Sequence, residues 1–220
     1  MRRKCFLAEN NYYHIYSKSI AGYNIFNEMK DYARIIDLFK YYQRGSQKLR
    51  FSWFIKLDER NRKELEERQS IRNDKIVDII AYCIMPTHIH LILKQEKKNG
   101  ISMFMSEVLN SYARYFNEKN KRKGPLWEGR FKNVLIKTER YLLHLTRYIH
   151  LNPVTARIID KPEEWTASSY NEYMLKIDEK KRMCNYHEIL NISSNDYKTF
   201  VEDGISFQRE LVKIKSLLLE

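Results

Sequence analysis

A chain of 220 residues, 43% hydrophobic and 31% charged, can bury a real core and is not disordered. Its 40 Lys and Arg outnumber 28 Asp and Glu, and the net charge of +12 favours a polyanionic partner, either nucleic acid or an anionic membrane surface. Three scattered cysteines, Cys5, Cys83 and Cys184, exclude a disulfide framework, and no apolar run fits a signal peptide or a membrane span, so the expected setting is cytoplasmic.

Asn11 to Ser17 is aromatic and β-branched, which predicts a first strand. From Asp31 to Tyr42 apolar residues recur at helical spacing, and Gly45 and Ser46 end that helix. Leu57 to Asn73 is polar and charge-dense, an exposed helix or long loop to which no chemistry is assigned. Ile76 to Met85 reads as a buried strand, interrupted by Pro86 and resumed over His88 to Lys94 as the second arm of a hairpin. Ser102 is expected to cap a helix running to about Asn117, followed by a charged turn over Glu118 to Pro125. Gly129 to Lys137 predicts another strand. Thr138 is expected to cap a helix that ends ahead of Pro153. The order β, α, β, β, α, β, α predicts an α+β fold, a ferredoxin-like antiparallel sheet with helices packed on one face. Beyond Tyr173 the pattern weakens into a helical C-terminal appendage, with a boundary near Lys176 to Arg182 and small helices over 183–212.

Three sets of residues carry chemistry. His88 and His90 are two apart on a strand, so both imidazoles fall on one face and can reach one divalent ion. They also fit ordinary structural histidines. Tyr148 and Asn152 are four apart on a helix and share a face. A tyrosine beside a metal can act as a nucleophile, and an amide oxygen can join two imidazoles around Mg2+ or Mn2+. The same pair also fits a packed aromatic and a C-terminal cap. Finally, Lys119, Lys121, Arg122 and Lys123 precede Trp127, Arg130 and Lys132. Such interleaving of charge with stacking surface suits a groove for a single strand, and Arg147 is counted with this set.

Ala81 to Leu93 (Ala-Tyr-Cys-Ile-Met-Pro-Thr-His-Ile-His-Leu-Ile-Leu) resembles the central stretch of the single-tyrosine transposases of small bacterial insertion sequences. The branch it is most similar to is the one associated with repetitive extragenic palindromes. The likeness continues through Tyr112 to Asn117, Gly124 to Phe131, Arg147 to Val154 and Ser168 to Tyr170. It implies a transposase domain of the HUH endonuclease type over residues 8–175 and a C-terminal extension of unassigned role over 176–220. By this resemblance His88, His90 and Asn152 are metal ligands for Mg2+ or Mn2+, and Tyr148 is the nucleophile. Tyr112 is the alternative nucleophile, although its block corresponds to a structural, DNA-contacting helix. Thr87 departs from the family, which usually has Asn there. The implied activity is metal-dependent cleavage and strand transfer of single-stranded or hairpin DNA through a 5′-phosphotyrosine, carried out by a homodimer. The competing expectation is a domesticated, non-catalytic protein that binds hairpins or palindromic repeats.

Overall fold

In the computed structural model, which describes residues 6–45, 49–71, 74–186 and 190–210, the alternation of the first strand decides where everything else packs. Expectations that fall on Cys5, Ser46, 72–73, 187–189 and 211–220 lie outside the described residues. Strand β1 (Tyr12–Lys18) turns Tyr13 and Ile15 into one layer of the core and His14 and Tyr16 to the opposite face. Helix α1 (Met29–Tyr42) follows, opened by a capping box in which Asp31 accepts from the Glu28 backbone at 3.2 Å. A short helix α2 (Phe51–Phe54) precedes the charge-dense stretch, and a mostly exposed helix α3 (Glu59–Ile71) occupies it.

Strands β2 (Val77–Met85) and β3 (His88–Gln95) form the expected hairpin around Pro86 and Thr87. Helix α4 (Gly100–Lys119) starts two residues ahead of Ser102. Asn99 takes the left-handed conformation at φ 61°, which asparagine tolerates. Gly100 then lies so close to the Ile76 carbonyl that an added Cβ would sit 2.1 Å from its oxygen. That close approach, rather than a serine hydroxyl, fixes where the helix begins. Strand β4 (Lys132–Ile136) completes a four-stranded antiparallel sheet in the order β2-β3-β1-β4, the ferredoxin-like arrangement.

Helices cover both faces of this sheet, which corrects the expectation of a single covered face. Phe39 of α1 and Phe104 of α4 pack together, and Phe39 meets Tyr82 on the face that also carries Ile89 and Leu91. Helix α5 (Glu139–Thr155) lies across the other face, over β2, β3 and β4. Strand β2 requires this, since all nine of its residues are buried and a strand with apolar side chains in both directions needs a layer on either side. Thr138 caps α5 as expected, its hydroxyl accepting from the Tyr141 backbone at 3.1 Å. The helix does not stop before Pro153 but runs through it to Thr155. The proline falls in the last turn, where the Ala156 amide still reaches the Asn152 carbonyl at 2.9 Å.

The chain then returns along the outer edge of β2. Ile84 donates to Ala167 at 2.9 Å, Ser169 donates to Tyr82 at 2.9 Å, and Asn185 donates to Ile79 at 2.8 Å. This run includes the short helix α6 (Tyr170–Tyr173). Helix α7 (Ser194–Glu202) packs on α5 through Tyr197 and Val201, both buried. Met183, Cys184, Tyr186 and Leu190 join the same hydrophobic core. Among the described residues no helix is long and apolar enough to cross a membrane.

Candidate active site

The period-two geometry of β3 sends Ile89 and Leu91 into the α1–α4 layer and His88 and His90 toward α5. The two imidazoles stand edge to face with centroids 5.0 Å apart. Each is anchored at Nδ1, by the Thr87 hydroxyl at 2.8 Å for His88 and by His14 Nε2 at 2.9 Å for His90. Nε2 of each ring is therefore the nitrogen left for a ligand. Burial, followed by the charge of Lys18, lowers the His88 pKa to about 4. Burial, then His14, His88 and Lys18, holds His90 well below the usual imidazole range. Both rings are neutral at physiological pH, the form that binds a metal ion.

Helix α5 brings Tyr148 over this pair, its ring 6.2 Å from that of His90 and at 88° to it. Tyr148 remains 40% exposed. Burial, then the neighbouring Tyr16, raises its pKa, and at neutral pH it is a phenol rather than a phenolate. Asn152 lies one turn further on the same helix face, and its side-chain nitrogen is buried with no hydrogen-bond partner. Turning the amide over exchanges nitrogen for oxygen, so this corner equally presents an unused acceptor. Two neutral imidazoles and one amide oxygen fit a divalent cation with open positions for phosphate and water. Among the described residues no three His, Cys, Asp or Glu side chains are gathered to hold a metal, so a cation here depends on the amide as its third protein ligand.

The family model described as "Transposase IS200 like" matches residues 46–152, a span that holds both histidines, the tyrosine and the asparagine. Over that span the chain is similar to the IS200-like transposases. A Haemophilus influenzae protein bearing the name REP-associated tyrosine transposase is 26% identical over 104 residues, 43% of this chain and 59% of that protein. The chain therefore spans about six-tenths of the length of that curated relative. A solved structure of a REP-associated tyrosine transposase bound to a REP hairpin superposes with a TM-score of 0.56 at 13% identity. It covers 88% of this chain and 96% of its own, which bears on the fold alone. The ferredoxin-like strand order read from the sequence holds.

Around this site the remaining candidates separate by position. Tyr112 is fully buried, and its hydroxyl donates to the Ile25 carbonyl at 2.6 Å. Burial pushes its pKa far up, and it faces α1 rather than the histidines. Lys119 is bound at 2.7 Å to Asp31, a carboxylate with no exposed surface. Arg122 holds the charged turn, donating to Asn117 at 2.9 Å and to the Pro125 carbonyl at 2.7 Å. Trp127 is partly buried, its indole donating to the Leu109 carbonyl at 3.0 Å. Lys121, Lys123 and Arg130 are exposed. Lys132 is exposed on β4, with its ammonium 5.9 Å from the Tyr16 ring. Because Tyr16 pairs with both Lys132 and His90, this lysine shares the histidine face. Arg147 stacks on Phe200 at 4.3 Å and donates to its carbonyl at 3.3 Å.

Sequence reasoning missed His14, Tyr16 and Lys18, which line the site from the central strand. The signal was available in the even positions of β1, but their relevance depends on β1 pairing with β3. Two clefts lie elsewhere, beside α1, and neither is lined by the histidines.

Proposed function

We propose that this chain cleaves and rejoins single-stranded DNA, with Tyr148 as the nucleophile and His88, His90 and Asn152 as the ligands of Mg2+ or Mn2+. The observation that carries this reading is the approach of the Tyr148 ring to 6.2 Å, centre to centre, from that of His90, on a helix whose next turn holds the Asn152 side-chain nitrogen buried without a hydrogen-bond partner. The bound cation supplies Lewis-acid polarisation of the scissile phosphate. Tyr148 Oη attacks phosphorus in line, forming the Oη–P bond as the P–O3′ bond breaks. The tyrosine proton passes to solvent, and the departing O3′ takes one up. A later attack by a 3′-hydroxyl on the same phosphorus expels the tyrosine and reseals a strand, so bond energy is conserved without a nucleotide cofactor.

Hairpin DNA is the proposed substrate class, supported by the net charge of +12 and by relatives named for repetitive extragenic palindromes. Lys132 and Lys18 flank the histidine face where a backbone would run. The exposed Lys121, Lys123 and Arg130 extend the positive surface beyond it. One tyrosine per chain makes one covalent link, so a double cut calls for two chains and hence a homodimer.

The test is a denaturing gel after incubation with labelled hairpin-bearing single strands and Mn2+. A covalent protein–DNA band is expected for wild type, and its loss is expected for Tyr148→Phe and with EDTA. A band that survives Tyr148→Phe removes this assignment. A clear binding shift with no covalent band from any strand in the pool favours the non-catalytic DNA binder.

A further inference from the structure

His14 is absorbed by none of the roles above, yet it is the closest polar neighbour of His90. It is 9% exposed on the central strand, and its Nε2 lies 2.9 Å from His90 Nδ1. The ring centroids are 5.2 Å apart with planes 18° from parallel. That separation is the N···N distance plus one ring radius at either end. The two imidazoles therefore meet edge to edge in nearly one plane, as a hydrogen bond requires, and are not stacked face on face. Tyr16 closes on both rings, at 5.3 Å from His14 and 6.1 Å from His90, and restricts rotation of either.

A single proton occupies this N···N contact, and its owner decides what His90 can do. If His14 holds it, His90 must carry its own proton on Nε2, where a metal ion can no longer bind. If His90 holds it, Nδ1 donates to His14 and Nε2 is bare. We propose that His14 is a positioning residue that accepts from His90 Nδ1–H and so fixes the tautomer and ring angle in which His90 Nε2 is ready for a metal ion. The inference rests on the reading of His88, His90 and Asn152 as metal ligands. His88 is held by a different device, the Thr87 hydroxyl at 2.8 Å, so the two ligands are oriented independently.

The experiment uses the full chain without DNA and reads Mn2+ binding from the electron paramagnetic resonance signal of the free ion. Wild type, His90→Ala, His14→Phe and His14→Gln are compared, with the melting temperature of each metal-free protein measured alongside. Phenylalanine keeps the ring but cannot accept, so binding should weaken by about 10- to 100-fold. Glutamine offers an amide acceptor in the same space and should restore most of that loss. Wild-type affinity in a folded His14→Phe protein overturns the inference, as does equal loss in both His14 variants at equal melting temperature. If His14→Phe does not fold, 15N shifts of the metal-free wild-type imidazoles decide alone. His90 protonated at Nδ1 supports the inference, and His90 protonated at Nε2 overturns it. The underlying reading fails separately, and takes this inference with it, if His90→Ala binds Mn2+ as tightly as wild type.

Discussion

The side-chain amide of Gln208 donates to the backbone carbonyl of Tyr148 across 3.1 Å. Gln208 is buried, and the same C-terminal segment holds the preceding residue of α5, with Arg147 laid on Phe200 at 4.3 Å. Gly204 leaves room for this arginine, since an added Cβ would sit 2.7 Å from its Cδ. His150, one turn of helix from Arg147, bonds Tyr197 at 2.8 Å. The segment therefore grips the tyrosine helix from behind. Gln208→Ala should cost about 1 kcal/mol in urea unfolding and should slow covalent adduct formation more than it weakens DNA binding. An adduct rate equal to wild type would limit the contact to stability.

The two tyrosines proposed as nucleophiles can be separated by what each loses as phenylalanine. Tyr148→Phe should abolish the adduct with little change in stability, since the side chain is 40% exposed. Tyr112→Phe should keep the adduct but lower stability by about 1–3 kcal/mol, because the Ile25 carbonyl loses its partner inside the core. Denaturation curves run alongside the gel assay distinguish the two. An adduct lost only in Tyr112→Phe would exchange their roles.

Lys119 and Lys132 make a matched pair of lysines with opposite expectations. Lys119 is tied to Asp31, which burial would raise in pKa but which Lys119, the Asn27 amide, Tyr115 and the Glu28 amide together hold below the usual carboxylate range. Lys119→Met should lower stability by about 1–3 kcal/mol while leaving the salt dependence of DNA binding unchanged. Lys132→Ala should leave stability within about 0.5 kcal/mol and reduce the salt slope of single-strand binding by about 0.7. A fluorescence anisotropy titration at several salt concentrations reads both, and an unchanged slope for Lys132→Ala removes that lysine from the DNA path.

His150 makes stability depend on pH. The ring has no exposed surface, bonds Tyr197 and Ser169 at 2.8 and 2.7 Å, and is lowered by burial from 6.5 to about 3. The unfolded chain takes up a proton there below about pH 6.5, and the folded chain does not until about pH 3. The stabilisation is thus complete above the upper value and is lost as pH falls through this window, by about 2 kcal/mol at about pH 5. His14 and His88, each lowered to about 4 by burial, act in the same direction. Urea midpoints should fall from neutral toward acid pH, and His150→Gln should show a shallower fall despite a lower midpoint at neutral pH. Parallel curves would place the proton uptake elsewhere.

The strands and the main helices were legible because their periods are set by local burial, as in Ile76 to Met85 and Asp31 to Tyr42. Helix ends were less so. Pro153 reads as a stop, but in a last turn the lost donor costs one bond in a helix already held by packing. Ser102 resembles a cap, yet the start of α4 is set by the distance from Gly100 to Ile76, a contact made across the fold. The pairing of His88 with His90 was visible at two-residue spacing. His14 was not, because 76 residues separate it from His90 and only the strand order brings them together. The basic cluster misled in part for the same reason. The sequence does not say that Lys119 has a buried carboxylate waiting, or that Arg147 faces Phe200.

The face that carries the three histidines is closed by the last long helix of the core, not by the first. All four strands, α1 and α4 are complete by Ile136, whereas Tyr148, Asn152 and Gln208 come later in the chain. Domains emerge from the ribosome N-terminal end first. A nascent chain can therefore assemble its sheet while the histidine side still lacks both the Tyr148 hydroxyl and the Asn152 amide. Helix α5 then has to cross an apolar surface already formed, and the segment that fixes it emerges later still. Synthesis thus imposes a sequence in which the scaffold precedes the proposed nucleophile, and a chain stalled before residue 148 has the histidines but lacks Tyr148.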